Sequence, residues 1–201
     1  MKEKAVINTV SPPGPHLIAL LGPLGSILHF IKFNLITQTF PKIEHRTELT
    51  RSHAGCYCML DIQQLATSLI SHSDISISVL SRVVSTYPLR KEAMCDAGAL
   101  AVSKDTGPLA GYGHVVWPKS LDHWDLGRIS QEHGTLVRRT GTEAAGRGTD
   151  GEAGGEEMKI GDVIRIVPQH ACLACASYPW FYVVEDGGEE VVDVWVPCKG
   201  W

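Results

Sequence analysis

The chain has 201 residues, a formal net charge of −4 and a hydrophobic fraction of 44%. This length accommodates one medium-sized domain with an attached arm, and the lack of a basic excess argues against a nucleic-acid-binding protein. The six cysteines are irregularly spaced, which indicates a reduced, cytoplasmic protein and not a disulfide scaffold.

Residues 1–45 are predicted to form a divergent arm with partly helical structure. A cluster of prolines and glycine at 11–15 should be irregular. The apolar stretch at 17–36 has the length of a membrane span, but a Gly-Pro pair, a histidine and a lysine interrupt it. We therefore predict a short helix at about 26–35 and neither a membrane anchor nor a signal peptide.

The first element expected after the arm is a helix over residues 62–70. Asp61 is suited to cap its first turn, and apolar residues recur at helical spacing along it. Gln63 and Gln64 are expected to face solvent or a missing part of the protein.

The remaining sequence is rich in β-forming residues separated by turn residues. Alternation of apolar residues with serine predicts a long strand from Ile75 to Ser85, which Pro88 ends with a turn. Further strands are predicted at 111–117 and at 129–136, the latter ending at a tight turn. A turn at 161–162 precedes a strand at 163–167, and strands at 180–184 and 191–196 are predicted to form a hairpin around residues 185–188. The pattern favours a mainly β (α+β) fold, an antiparallel barrel or closed sandwich with one or two short helices.

Two connecting segments have a distinct composition. At 96–98, Asp96 is expected to hydrogen-bond the turn backbone in a structural role, and Gly98 to supply a positive φ. Lys104, a little further on, is expected to be solvated or ion-paired. Residues 138–157 are rich in Gly, Thr and Glu and are predicted to form a flexible loop, since they offer little apolar area to bury.

A candidate metal site follows the strand at 163–167. Pro168 ends that strand, and His170 and Cys172 then lie two positions apart on a segment predicted to be non-helical. Residues i and i+2 of an extended chain point to the same side, and nitrogen plus thiolate is a ligand set that zinc prefers. The alternative is a buried histidine and a buried thiol at a strand end.

Two other groups of residues suggest chemistry. Cys172 and Cys175 form a C-x-x-C motif that Cys56 and Cys58 could complete as a four-cysteine zinc site, although the C-x-C spacing is unfavourable. In the sequence Ser-Gln-Glu-His-Gly at 130–134, His133 is a candidate proton carrier. Its neighbour Glu132 would point to the opposite face of a strand, so it is expected to satisfy backbone groups.

Together these segments resemble the D-serine dehydratase family, zinc- and pyridoxal phosphate (PLP)-dependent enzymes of the alanine-racemase-like fold type. The motifs that carry the resemblance are His-Ala-Gly at 53–55, Asp-Ile-Gln-Gln at 61–64, Cys-Asp-Ala-Gly at 95–98, Ser-Lys-Asp at 103–105, residues 130–134 and Pro-Gln-His-Ala-Cys at 168–172. The resemblance implies that residues 46–201 form the C-terminal β domain of such an enzyme.

The resemblance also assigns roles to individual residues. It makes His170 and Cys172 the zinc ligands and Tyr57 a residue on the PLP side, and it places His133 near the site. In this family the lysine that holds PLP lies in an N-terminal barrel. No segment here resembles that lysine's surroundings, so we expect a truncated chain or one whose start has been replaced.

The implied reaction converts D-serine into pyruvate and ammonia by α,β-elimination, with PLP as electron sink and zinc assisting loss of hydroxide. A similar D-amino acid is the expected partner, and the family implies a homodimer. One alternative is a non-catalytic zinc-binding β domain. Another is a D-threonine aldolase-like enzyme, but that group tends to carry His-x-Asp, so the softer His-x-Cys pair favours the dehydratase.

Overall fold

The computed structural model describes residues 4–9, 18–19, 56, 58–139, 156–185 and 187–198. Several sequence predictions lie outside these ranges: the irregular segment at 11–15, the helix at 26–35, Tyr57 and most of the loop at 138–157. Apart from two short strands of the arm, the described structure belongs to the segment predicted as the β domain.

Ten strands, three short α-helices and three 3-10 helices (His72–Asp74, Pro88–Arg90 and Lys119–Leu121) make up the regular structure of the described residues. The strands are β1 (Lys4–Thr9), β2 (Ile18–Ala19), β3 (Ile77–Tyr87), β4 (Glu92–Cys95), β5 (Gly113–Trp117), β6 (Trp124–Ile129), β7 (Gly134–Arg138), β8 (Val163–Pro168), β9 (Phe181–Glu185) and β10 (Val191–Trp195). The α-helices are α1 (Ile62–Leu65), α2 (Ala99–Val102) and α3 (Ala171–Ala176).

Six of the strands close into an antiparallel barrel. They follow the order β3-β4-β7-β6-β5-β8, and β8 pairs back with β3 through the register Val79↔Ile166. Each neighbouring pair in this ring is antiparallel. The prediction of a mainly β, antiparallel barrel with few short helices is therefore confirmed.

The other strands extend the sheet beyond the barrel. β1, from the arm, pairs in parallel with β3 and antiparallel with β9, and β2 pairs with β3. β9 and β10 form the antiparallel hairpin that the sequence predicts around residues 185–188. No helix in the part of the chain that the structure describes is long and apolar enough to cross a membrane.

The barrel core is built from the apolar residues of alternating strand positions. Fully buried side chains come from every strand of the ring and include Val79, Val83, Cys95, Val115, Leu126, Leu136, Ile164 and Ile166. Burial of each large apolar side chain stabilises the fold by about 1.5–3 kcal/mol. β8 is buried at all positions from Ile164 to Pro168, and the burial continues into Gln169, so His170 follows directly on a buried segment.

The predicted helix at 62–70 is too long. α1 ends at Leu65, and residues 66–70 form turns in which Ser68 has a φ of 61°. The hydroxyl of Thr67 donates to the carbonyl of Gln64 and accepts from the amide of Leu69. A threonine hydroxyl that bonds the backbone in this way competes with the helix hydrogen bonds.

Gly98 does not adopt the predicted positive φ. Its φ is −113°, and glycine is required because a Cβ there would lie 2.6 Å from the carbonyl oxygen of Gln131. Asp96 has the expected structural role with different partners, since it accepts from the Ser81 hydroxyl and the Arg82 amide, both at 2.8 Å. It therefore links this turn to β3.

The Ser-Gln-Glu-His-Gly segment contains the predicted tight turn, but the strand before it ends at Ile129, earlier than predicted. The segment forms the hairpin turn between β6 and β7, in which the amide of Ser130 donates to the carbonyl of His133. Two backbone amides at the start of α2, those of Ala99 and Leu100, donate to carbonyls of this turn. The turn therefore packs against the beginning of α2.

Candidate metal site

The candidate site lies where three segments of the chain meet beside the end of β8. These are α1, the connection between α2 and β5 at residues 103–112, and the start of α3. Residues separated by 42 to 110 positions in sequence form hydrogen bonds here. This corner therefore exists only in the folded chain.

A hydrogen-bonded pair of His170 and Asp105 is at the centre of this corner. His170 precedes α3 in extended backbone, and its Nδ1 lies 2.6 Å from Oδ2 of Asp105. Hydrogen bonds from His170 and from Gln63 lower the pKa of Asp105, so this group is a carboxylate that can only accept. Nδ1 of His170 is then the donor, and in a neutral ring the lone pair is left on Nε2.

Two glutamines hold the segment that carries Asp105. Nε2 of Gln63 donates to Asp105 Oδ2 at 3.0 Å and to the carbonyl of Thr106 at 2.9 Å. Nε2 of Gln169, which is fully buried, donates to the carbonyls of Leu109 and Gly111 at 2.9 and 2.8 Å. Gln63 is expected from the sequence to face solvent or a missing part of the protein; its side chain is half-buried, and its amide is hydrogen-bonded within the corner.

Asp61 joins the beginnings of two helices. As predicted, it caps α1, where Oδ1 accepts from the amide of Gln64 at 3.1 Å. Its other oxygen accepts from the amide of Ala171 at 2.8 Å, which fixes the first residue of α3. Burial raises the pKa of Asp61, and the two backbone hydrogen bonds act in the opposite direction.

Cys172 lies in a different backbone setting from the one predicted. The segment after His170 is helical from Ala171, so Cys172 stands in the first turn of α3 and not on an extended chain. The spacing argument for a shared direction of the two side chains therefore does not apply. Cys172 is exposed; partial burial raises the pKa of its thiol, and the negative charge of Asp61 adds to the effect.

Two further thiols of the corner, those of Cys175 and Cys56, also have raised pKa values. Burial raises the pKa of Cys175 to about 12, with Cys172 and Cys58 contributing. Burial also raises the pKa of Cys56, whose thiol lies 2.9 Å from the side-chain amide of Gln64. Among the residues that the structure describes, no three His, Cys, Asp or Glu side chains form a group suited to a metal ion. The four-cysteine alternative thus gains no support.

His133 is exposed in the hairpin turn at 130–133, where its amide donates to the hydroxyl of Ser130 at 3.3 Å. Its catalytic role stays a prediction, as does the role of Tyr57. The lysines whose side chains are described are Lys91, Lys104, Lys119 and Lys159, and all are exposed. None stands in a setting that fits a covalently held PLP, so no step through PLP is assigned to these residues.

Sequence reasoning missed Asp105 and Gln63 as members of the site. Asp105 stood in the Ser-Lys-Asp motif at 103–105, and Gln63 in the motif at 61–64, so both lay in segments that carried the resemblance. Nothing in their spacing connects them to His170, which follows Asp105 by 65 residues. Only the fold brings these side chains together.

Comparison with known proteins gives a consistent picture. The model of the serine dehydratase domain family matches residues 76–184. D-serine dehydratase of Schizosaccharomyces pombe is 33% identical over 170 residues, which cover 83% of this chain and 37% of that protein. The D-threo-3-hydroxyaspartate dehydratase structure from Delftia sp. HT23 has a TM-score of 0.59 and 28% identity, covering 74% of this chain and 38% of that one.

An alanine-racemase-like protein from Idiomarina loihiensis matches with a TM-score of 0.59 and 26% identity over 74% of this chain and 38% of that chain. The Delftia enzyme is also solved as a histidine-to-alanine variant and as a cysteine-to-alanine variant in the metal-free form. The replaced histidine and cysteine lie two positions apart in that enzyme, as His170 and Cys172 do here.

The barrel, with its polar corner after β8, matches a part of the alanine-racemase-like fold, about 38% of the solved Idiomarina chain. Because the family model covers more than half of the chain, the chain belongs to the serine dehydratase domain family. It spans about 37% of the length of its S. pombe relative.

Proposed function

We propose that this chain is the zinc-bearing β domain of a lyase that dehydrates D-serine or a similar D-3-hydroxy amino acid. The observation that carries the proposal is the hydrogen bond between His170 and Asp105. Family membership and the printed activities of the relatives support the same reaction class.

The donor chemistry of His170 and Cys172 suits a zinc ion. A histidine that binds a metal through one ring nitrogen usually donates its other N–H to a carboxylate or carbonyl, and His170 has such a partner in Asp105. Cys172 would supply a soft thiolate, which favours zinc over harder ions. With His170 and Cys172 as the protein ligands, the remaining positions are open to water or substrate.

The chain's own residues would have separate tasks in this site. His170 and Cys172 would hold the ion, and Asp105 would keep His170 in the tautomer that offers Nε2. Asp61 would hold the first turn of α3, and hence Cys172, through its bond to the Ala171 amide. A zinc ion bound there supplies Lewis acidity for a hydroxyl that leaves poorly on its own.

Other parts of the proposal come from the resemblance. PLP is the proposed second cofactor, and a homodimer is the proposed assembly, which light scattering after size-exclusion chromatography would test. A cytoplasmic location is proposed because all six cysteines are free, as is usual in a reduced compartment.

The direct test is product formation by the purified chain supplied with zinc and PLP. Because no described lysine of this chain fits PLP, we expect pyruvate from D-serine only when a PLP-binding barrel is also supplied. That product should be lost in Cys172→Ala but not in the matched variant Cys198→Ala, whose thiol is also exposed. Release of acetaldehyde from D-threonine, with no pyruvate from D-serine, would favour an aldolase. Absence of every product in a chain that binds zinc would support the alternative of a non-catalytic zinc-binding domain.

A further inference from the structure

We propose that Asp105 is a positioning residue of the metal site and that Gln63 holds Asp105 in place. The inference rests on the proposed function, since it concerns the orientation of His170 as a metal ligand. It assigns roles to two residues that touch neither the metal nor the substrate.

Two side chains share one oxygen atom of Asp105. Both His170 Nδ1, at 2.6 Å, and Gln63 Nε2, at 3.0 Å, contact Oδ2 of Asp105. Two donors on one carboxylate oxygen fix its position from two directions. Gln63 also donates to the carbonyl of Thr106, so a single amide group holds both the side chain and the backbone next to it.

Hydrogen bonds that do not involve Asp105 also connect the segments that carry Gln63 and His170. Asp61 bonds the amide of Gln64 with one oxygen and the amide of Ala171 with the other. In addition, the amide of Gln63 donates to the carbonyl of Gln169 at 3.2 Å. The backbone segments that carry Gln63 and His170 are therefore joined to each other by hydrogen bonds that do not involve Asp105.

Anchoring of the 103–112 connection does not depend on the Asp105 carboxylate alone. Gln169 already holds that connection through the carbonyls of Leu109 and Gly111. Removal of the Asp105 carboxylate thus leaves these hydrogen bonds, together with the one from Gln63 to the carbonyl of Thr106, to keep the connection in place. What it removes is the acceptor that keeps the proton of His170 on Nδ1.

The consequence is an effect on metal affinity that exceeds any effect on folding. Loss of an outer partner of a metal-binding histidine typically weakens metal binding about 10–100-fold. We expect zinc affinity to fall about 10-fold in Asp105→Asn, which keeps the shape and loses the charge, and up to about 100-fold in Asp105→Ala. Gln63→Ala should weaken binding by less, because Asp105 can still reach His170.

The experiment compares zinc affinity, by competition with a chromophoric chelator, for the full chain and these variants. Asp122→Asn is the control, an aspartate paired with Lys119 in the turn between β5 and β6. Each variant's thermal midpoint is measured alongside. Nitrogen-15 NMR of the metal-free chain then reports the tautomer of His170, which a merely structural role for Asp105 would not move.

The proposal predicts an Nδ1–H tautomer in the wild-type chain and a shift toward Nε2–H in Asp105→Ala, with affinity lost in the order given. Zinc affinity in Asp105→Asn and Asp105→Ala equal to that of Asp122→Asn would overturn it and leave the proposed function intact. A wild-type chain that binds no zinc but shows the Nδ1–H tautomer would instead refute the zinc site and retain Asp105 as the residue that orients His170.

Discussion

The barrel and the metal corner are held together in different ways. The barrel is closed by backbone ladders between antiparallel strands, and its core is a continuous set of apolar side chains. The corner depends on a few side-chain hydrogen bonds between residues far apart in sequence, such as Asp61 to Ala171 and Asp105 to His170. Many contacts therefore share the stabilisation of the barrel, whereas a few hydrogen bonds hold the corner. Substitutions should act differently in the two regions.

The largest change in stability is expected from a buried ion pair at the barrel. Arg139 binds both carboxylate oxygens of Asp125, and the two side chains are only 9% and 10% exposed. Arg139→Met leaves that carboxylate buried without its partner, which should lower the free energy of unfolding by about 3–5 kcal/mol at neutral pH. Denaturant unfolding measures this, and the double variant with Asp125→Leu should recover most of the loss.

The stability lost in Arg139→Met should depend on pH. Burial raises the pKa of Asp125 even though Arg139 lowers it, so loss of Arg139 should raise this pKa further. A carboxyl whose folded-state pKa is raised destabilises the fold where it is ionised, and this penalty disappears as the pH falls through that pKa. The stability difference from wild type should therefore be large at pH 7 and shrink toward about pH 4. An unchanged difference would contradict the account.

A cavity in the barrel core tests whether the stability of the barrel can be lowered without affecting the metal site. Ile164 on β8 is fully buried, so Ile164→Ala should lower the free energy of unfolding by about 2–5 kcal/mol and Ile164→Val by about 0.5–1.5 kcal/mol. Below the melting transition, zinc affinity should remain close to that of wild type, because the corner's hydrogen bonds are untouched. Parallel loss of stability and zinc affinity would show that the two regions are not separable.

The opposite test removes a bond of the corner. Asp61→Ala leaves the amides of Gln64 and Ala171 without their acceptor, and loss of such a cap costs about 0.5–2 kcal/mol. The loss in the free energy of zinc binding should exceed the loss in the free energy of unfolding, because Ala171 lies between the two proposed ligands. Calorimetric melting and zinc competition on the same sample check this, and a variant that melts early but binds zinc normally would remove Asp61 from the site.

The difference between the regions also explains what could be predicted from the sequence. Alternation along β3 and the turn at Gly161, whose φ is 96°, are local signals, and both gave the correct elements. The start of α3 was missed because its six residues, Ala-Cys-Leu-Ala-Cys-Ala, follow a strand-ending proline and have no side-chain cap of their own. Its stabilising partner is Asp61, 110 residues away.

The site residues divide in the same way. His170 and Cys172 were found as a spaced pair and through the resemblance, whereas Asp105 and Gln63 depend on contacts across 42 and 65 residues. Local sequence patterns report which residues could bind a metal. The partners that orient those residues are set by the closure of the barrel, which no short pattern encodes.

The most direct test of the central claim is the zinc content of the purified chain after equilibrium dialysis, measured by mass spectrometry. The proposal predicts about one zinc per wild-type chain and per Cys198→Ala chain, and none in His170→Ala or Cys172→Ala. Stoichiometric zinc retained in both of the last two variants would contradict the assignment of the metal site.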